Sequence, residues 1–467
     1  MNPYLVINKK DNVGVCLEET ERIPAGHKYA LCNLSKGDPV IKYGVTIGRA
    51  TCEIRAGEWV HTHNMKTHLD EIQEYTYFPD FKKFDLKEAT FKGFPYKDGR
   101  AGIRNEIFII PTVGCVNNVC LRLEKEAQKY VRGSLDGVFA LTHQFGCSQL
   151  GDDGDNIKKF LCSIALNPNA SRVLFVGLGC ENNGLKGIRE KLNGQKEGRI
   201  AFLNCQDETD EIASGIKILK KFSDEASSLS RVDCPISDLC IGLKCGGSDG
   251  YSGLTANPLV GKITDKIISF CGSAVLTEVP EMFGAEQKMM NKCVSYDVFL
   301  QYKKMIEKFK LYYIDNGFPV YENPSPGNRE GGITTLEEKS MGCIEKAGTS
   351  SINAVIDYGE QVECRGLNIL NGPGNDLIAT SALGASGCQL ILFTTGRGTP
   401  FSGFVPTLKI SSNKILANKK SSWIDFDATD MNDDELFNLV IRTASGEYRT
   451  KSEGFKEIAF NKTGVTL

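Results

Sequence analysis

Cysteine and histidine are the residues of this 467-residue chain whose types and spacing can do chemistry. The chain carries 17 cysteines, an odd number spread over a long sequence, which argues against a disulfide framework and leaves thiols as packing residues, ligands or nucleophiles. Four of them sit beside glycine where an apolar run gives way to a loop: Cys115 in PTVGCVNN, Cys147 in HQFGCSQLG, Cys180 in VLFVGLGCENNG and Cys245 in IGLKCGGSDG. Thiolates so placed suit iron or an iron–sulfur cluster, although no CxxC pair occurs. His143, close before Cys147, would suit a nucleophile with its base, and a cysteine is also simply a small residue tolerated in a tight turn. Histidines number five, so their placement carries weight. WVHTHN sets His61 and His63 two apart, and on a strand that spacing turns both imidazoles to one face, a geometry for two ligands on one metal. Exposed surface histidines are the other reading. His27 needs the fold to join the pair, and His68 reads as part of a linker.

Anion recognition has its own candidates. DGRAGIRN brings Arg100 and Arg104 to the entry of a strand, and TTGRGTPF places Arg397 after one, among glycines that let backbone approach a ligand. CGGSDGYSGLTANP offers Ser248, Asp249 and Ser252 in one loop. Structural turns with arginines paired to surface carboxylates account equally well for any one of these motifs. A nucleotide site is weakly supported: the glycines at 177, 179 and 184 read GxGxxxxG rather than GxGxxG, and no GxxxxGK[ST] occurs.

The elements that must position these residues follow from periodicity. At 41% hydrophobic and 24% charged the chain is an ordinary globular one, and its length calls for two or three domains. A net charge of −3 gives no case for nucleic acid or an anionic membrane as partner. The start, MNPYLVINKKDN, lacks a signal-peptide core and no segment reaches 18 apolar residues, so a cytoplasmic protein with no membrane partner is expected. Short strands broken by glycines at 14, 26, 37, 44, 48 and 57 predict a β-rich module over residues 1–75, followed by a linker over 76–92. From Gly93 the rhythm becomes strand, glycine turn, helix, which predicts parallel sheets covered by helices. The charged, serine-rich SDEASSLSRVD divides them into domains at 93–232 and 233–467. The expected fold is therefore α/β, a small β-rich amino-terminal module followed by two α/β domains with largely parallel sheets. In such sheets ligands bind beyond the carboxyl ends of the strands, where the four glycine-flanked cysteines fall.

GHKYAL, IKYGVTIG, VHTHN, DGRAGIRN, GLGCE, KCGGSDGYSGLTANP, TEVPEMFGAE, NPSPGNREGG and FTTGRGTPF, taken in order, resemble the altronate and galactarate dehydratase family of sugar-acid hydro-lyases over nearly the whole chain. The first module then looks like the family's SAF domain. The resemblance implies metal-dependent dehydration of an aldonate or aldarate to a 2-keto-3-deoxy acid, with a divalent metal, iron(II) above all, and with an iron–sulfur cluster still open. VHTHN looks more like the altronate branch. LNGPGND at 370–376 and WIDFDAT at 423–429 depart from that branch, which keeps galactarate-type dehydration and sulfite elimination from sulfolactate as alternatives, beside a binding protein without catalysis.

Such a reaction implies roles. A metal would stabilise the enolate formed when the C2 proton leaves, a base would take that proton, and an acid would protonate the departing 3-hydroxyl. His61 and His63 are the expected metal ligands, with Cys147, Cys180 and Cys245 as further candidates. His143, with an ordinary pKa near neutrality, is the expected base or acid, and Glu181, Glu278 and Glu281 are alternative acids. Arg100, Arg104, Arg397 and Lys409 are candidates for the substrate carboxylate and hydroxyls, and Ser248 and Asp249 for sugar hydroxyls. The expected partner is a small sugar acid, with self-association into a homo-oligomer left open.

Overall fold

A computed structural model describes residues 4–69, 73–97 and 100–466 of the chain. Residues 70–72, at the end of the expected β-rich module, and 98–99 of DGRAGIRN lie outside the described residues.

The amino-terminal module is built from two small antiparallel sheets. One orders strands Tyr4–Leu5, Val13–Cys16, Lys28–Ala30 and Trp59–Val60, and the other Pro39–Lys42, Val45–Ala50 and Met65–Lys66. Val13, Val40, Ile47, Ile54 and Val60 fill the space between them. The WVHTHN motif departs from expectation. The strand stops at Val60, and residues 61–64 form a turn in which the His61 carbonyl accepts from the Asn64 and Met65 amides at 3.0 and 2.9 Å. The period-two argument therefore fails, leaving His61 buried and His63 exposed.

The middle region is a four-stranded parallel sheet in the order Gly137–Ala140, Glu106–Pro111, Ala170–Gly177, Ile200–Asn204. The carboxyl-terminal region is a seven-stranded sheet, parallel throughout, in the order Ile352–Ile356, Gly366–Leu370, Ser273–Leu276, Cys240–Cys245, Leu390–Thr395, Thr407–Ser411, Phe426–Asp427. Its central strand Cys240–Cys245 is buried at all six positions, as expected of a strand covered on both faces. SDEASSLSRVD is not a loop: helix Glu211–Ser227 runs through its first half, and strand Val232–Pro235 then pairs antiparallel with Thr90–Gly93. The amphipathic helix Tyr296–Asp315, opened by the Ser295 cap, carries no glycine or motif and escaped the reading by strands. Among the described residues no helix is long and apolar enough to cross a membrane.

The first module docks on the carboxyl-terminal region through helix Leu336–Cys343, all eight of whose residues are buried. Glu338 on this helix accepts from Lys28 Nζ at 2.7 Å and Lys42 Nζ at 2.8 Å, all three side chains being out of solvent. Burial alone would raise the Glu338 carboxyl, but the two ammonium groups hold it down to about 2. Glu338→Gln should leave two buried ammonium groups without their counter-charge and lower stability to urea by about 3–5 kcal/mol. Because the folded carboxyl lies below its ordinary value near 4.5, its stabilisation is complete above that pH and drains as the pH falls toward about 2. The difference in Tm between the two proteins should therefore shrink steadily on acidification from about pH 4.5.

Candidate functional site

Four buried side chains converge at the carboxyl edge of the seven-stranded sheet: Cys245, Glu278, Glu281 and Cys343 offer ligand atoms that all lie within 4.8 Å of one another. Each arrives from a different element. Cys245 ends strand Cys240–Cys245, directly after Lys244. Glu278 lies just beyond strand Ser273–Leu276 with a left-handed backbone, φ 71°, a conformation unfavourable for a residue with a Cβ. Its carboxylate receives the Cys245 amide at 3.1 Å and the Lys244 ammonium. Glu281 follows in the turn Val279–Met282, and Cys343 closes helix Leu336–Cys343. The two sulfurs are 3.4 Å apart, and Glu281 Oε2 lies 3.4 Å from Cys245 Sγ and 3.5 Å from Cys343 Sγ.

Three buried lysines surround this group. Lys339 Nζ donates to Glu281 Oε1 at 2.9 Å, Lys346 Nζ approaches Cys343 Sγ at 2.9 Å and Glu278 Oε2 at 3.4 Å, and Lys244 Nζ joins Glu278 to Asp376 at 3.0 Å. Burial would raise the Glu281 carboxyl, but Lys339, Lys244 and Lys346 hold it down to about 2. The Cys343 thiol lowers Cys245 to about 6 against burial, helped by Lys346 and Lys244, and Cys343 is itself raised well above its ordinary value. Burial and the neighbouring Cys245 sulfur push Glu278 up to about 8. Two sulfurs and two carboxylates form a donor set suited to a borderline divalent metal such as iron(II). Lys339 binds the outer oxygen of Glu281 and leaves Oε2 facing both sulfurs, as a supporting residue of a metal ligand does.

Glycine loops form the rim above. A Cβ on Gly246 would meet the Phe393 ring at 2.5 Å and Asp376 Oδ2 at 2.6 Å, so this backbone passes where a side chain could not. Arg397 packs beside Gly247 and Gly327 and pairs with Glu330 at 3.0 Å in a largely exposed contact. A cavity of about 700 Å³ opens alongside Tyr312, Tyr313, Asn371 and Pro373, next to the loop whose Gly374 abuts Glu281. The first module flanks the same rim. His27 Nε2 donates to the Glu330 carbonyl at 3.1 Å, while its Nδ1 accepts from the Trp59 indole at 3.2 Å. The buried His61 ring bonds Thr334 Oγ1 through Nδ1 at 3.1 Å and stacks on Trp59. Burial, then Lys28 and His27, hold it down to about 4, so the ring is neutral at physiological pH. His63 rests on the other side of the Trp59 contact, exposed.

Of the residues expected from sequence, the structure gathers Cys245, Glu278 and Glu281 and places Arg397 on the rim. Cys147 and Cys180 are exposed on the middle sheet and do not join the group. His143, expected as an acid or base, has both ring nitrogens engaged by neighbouring backbone. Its Nδ1 accepts from the Phe145 amide at 3.1 Å, its Nε2 donates to the Pro111 carbonyl at 2.8 Å, and burial pulls it down to about 4. Glu181 staples its own loop, accepting from Thr112 Oγ1 at 2.6 Å and from the Gly179 and Leu178 amides. Arg100 reaches Ser273, at the amino end of its strand and so at the opposite edge of the sheet. Arg104 is buried against Glu453 at 2.5 and 2.9 Å and three backbone carbonyls. Lys409 points into the interior of its strand's layer, where Nζ has no hydrogen-bond partner and burial lowers it to about 8. Both Asp249 oxygens are taken by Ser252, Ser412 and Asn413, and the Ser248 carbonyl accepts from Asn328. These bonds hold the loop in place. Cys343, Lys244, Lys339 and Lys346 were missed; LEEKSMGCIEKA shows neither glycine punctuation nor a strand end, and the feature that could have found it is a density of charge on a helix that must be buried.

Comparison with known proteins covers the whole chain. The model of the altronate/galactarate dehydratase SAF domain matches residues 17–68, that of the D-galactarate dehydratase/altronate hydrolase second domain matches 93–227, and that of the D-galactarate/altronate dehydratase C-terminal region matches 236–466. An altronate dehydratase of Bacillus subtilis (strain 168) is 47% identical over 500 residues, spanning 100% of both chains. An altronate dehydratase of Escherichia coli (strain K12) is 44% identical over 493 residues, covering 99% of this chain and 100% of that one. The galactarate dehydratase (L-threo-forming) of the same organism is 30% identical over 498 residues, covering 96% and 94%.

The two arginines separate structural from accessible charge. Arg104→Met should strand Glu453 in the interior and cost about 3–5 kcal/mol in urea denaturation. Arg397→Met removes a solvent-exposed pair and should change stability by about 1 kcal/mol or less.

Proposed function

Because the chain belongs to the D-galactarate/altronate dehydratase family and is a hydro-lyase that dehydrates a sugar acid, we propose that its substrate is an altronate-type aldonate and that Cys245, Glu281 and Cys343 hold an iron(II) ion. The observation that carries this reading is the convergence of two thiols and two carboxylates within 4.8 Å on the ligand-binding edge of a parallel sheet. The greater identity to two altronate dehydratases than to the galactarate enzyme supports the aldonate. Three ligands leave a coordination position open, as catalytic sites do. When bound, the ion supplies Lewis acidity toward the substrate's carboxylate and 2-hydroxyl oxygens.

The chain's own residues do the rest. Arg397, on the rim, exchanges its exposed Glu330 partner for the substrate carboxylate, which its planar guanidinium fits bidentately. Glu278, aimed inward by its left-handed backbone, takes the C2 proton. The C2–H electron pair becomes the C2–C3 double bond as the C3–O bond breaks. Lys339, kept as an ammonium by Glu281, gives its proton to the departing hydroxyl, which leaves as water. The enol then takes up a proton at C3 while its 2-hydroxyl gives one to solvent, and becomes the 2-keto-3-deoxy acid. His61, neutral and anchored on Thr334, walls the rim from the first module. We place the enzyme in the cytoplasm, where a reducing environment keeps these thiols free.

The test is a panel of altronate, galactarate and sulfolactate offered to anaerobically purified, iron(II)-loaded protein. A 2-keto-3-deoxy acid from altronate is the expected product. Its absence with folded, loaded protein overturns the reading, and sulfite release reassigns the substrate. Lys339→Met should lower kcat about 10²–10⁴-fold, whereas Arg397→Met should act mainly through KM.

A further inference from the structure

The dehydration site leaves unused three motifs that stand out in the sequence: PTVGCVNN, HQFGCSQLG and GLGCENNG. Their cysteines, Cys115, Cys147 and Cys180, are all exposed, although a free thiol is among the side chains most often buried. Each lies beyond one of three adjacent strands of the middle sheet, Glu106–Pro111, Gly137–Ala140 and Ala170–Gly177, at the carboxyl edge.

Each thiol also follows a glycine that the neighbouring loops demand. A Cβ on Gly114 would lie 2.9 Å from the His143 carbonyl oxygen, one on Gly146 2.0 Å from that of Thr112, and one on Gly179 2.6 Å from Gln206 Oε1. Gly146 and Gly179 further require φ of 111° and 127°. Hydrogen bonds tie the three loops together: the Gly114 amide to the Phe145 carbonyl at 2.9 Å, the Asn183 amide to the Gly146 carbonyl at 3.1 Å, and the Ser148 amide to Asn182 Oδ1 at 3.0 Å. Helices Asn117–Ala127, Asp153–Leu166 and Leu185–Leu192 follow the three loops, so each cysteine lies in a strand-to-helix connection. In the same cradle Asn183 is 2% exposed and its Nδ2 donor has no partner. A buried donor left unpaired is costly unless something accepts from it.

We propose that Cys115, Cys147 and Cys180 ligate an iron–sulfur cluster at the carboxyl edge of the middle sheet. A single four-coordinate ion, with metal–sulfur bonds of about 2.3 Å, would draw the sulfurs to within about 3.8 Å of one another. Among the described residues, the group of three or more donors gathered within 4.8 Å of one another is the Cys245 tetrad, and these thiols are not part of it. In a [4Fe–4S] cluster each thiolate takes a different iron, so the sulfurs stand wider apart. On ligation each thiol gives its proton to solvent, and an iron without a thiolate stays open to an oxygen ligand. Asn183 Nδ2 supplies the hydrogen bond to sulfur that tunes such a centre. His143 and Glu181 then acquire a purpose, as the braces that hold two of the ligand loops in place. The cluster is independent of the ion proposed at Cys245, and either assignment stands if the other fails.

Acid-labile sulfide tells the two apart, since the Cys245 site needs none. Protein purified anaerobically from cells should contain labile sulfide and the visible absorption of an iron–sulfur centre. Both should fall to background in Cys115→Ser, Cys147→Ser and Cys180→Ser, and persist in Cys32→Ser and Cys364→Ser, which alter other exposed thiols. In the unsubstituted protein, the three thiols should resist alkylation until iron is stripped, whereas Cys32 and Cys364 react at once. Absence of labile sulfide, iron or zinc bound without sulfide, or a cluster that survives these three substitutions would each overturn the assignment.

Discussion

A helix buried on every side cannot carry charge unless each charge finds its counterpart, and helix Leu336–Cys343 carries three charged residues in succession. Glu337 accepts from the Thr67 hydroxyl and the His68 amide at 2.8 Å each, Glu338 meets Lys28 and Lys42, and Lys339 meets Glu281. Removing an ion from water costs several kcal/mol even after relaxation, so these pairings dictate what surrounds the helix. One face must receive the lysines of the β-rich module, and another must receive the Glu281 carboxylate. The docking of the first module and the shape of the buried tetrad are therefore two consequences of one requirement.

The same requirement separates two kinds of arginine and two kinds of carboxylate in this fold. Arg104 and Asp249 are saturated by their neighbours and hold elements together. Arg397 keeps only an exposed partner, and Glu281 keeps one oxygen turned toward two sulfurs. In the proposed reaction, chemistry falls to groups whose pairing is incomplete. Glu278 extends the point to the backbone, since its left-handed conformation is tolerated where Lys244, Lys346 and the Cys245 amide all take hold of the carboxylate.

Both parallel sheets present cysteines at their carboxyl edges, but in opposite settings. In the larger sheet the thiols are buried among lysines and carboxylates; in the middle sheet they are exposed, glycine-flanked and set in strand-to-helix connections. The difference lies in what covers each edge. Helix Leu336–Cys343 and the first module close over the larger sheet, whereas the loops of the middle sheet pack against one another and leave their thiols outward.

Local signals sufficed for much of this. Alternation of apolar runs with glycine turns determined the parallel α/β regions, glycine spacing determined the β-rich module, the strand-end rule singled out Cys245, and Glu278 and Glu281 came from the acid role that the family resemblance implies. Where the structure departs from local expectation, the departures are of one kind. His61 and His63 were read by strand periodicity where the chain had already turned, and His143, Arg104 and Asp249 were read by side-chain type when their partners, Pro111, Glu453 and Ser412, lie 32, 349 and 163 residues away. Lys28 and Glu338 are 310 residues apart, and Cys245 and Cys343 are 98 apart. Periodicity and turn chemistry act over a few residues and can be read from sequence. Which charges neutralise one another in the interior is decided only when tertiary packing removes them from water, because only there does an unpaired charge become too costly to keep.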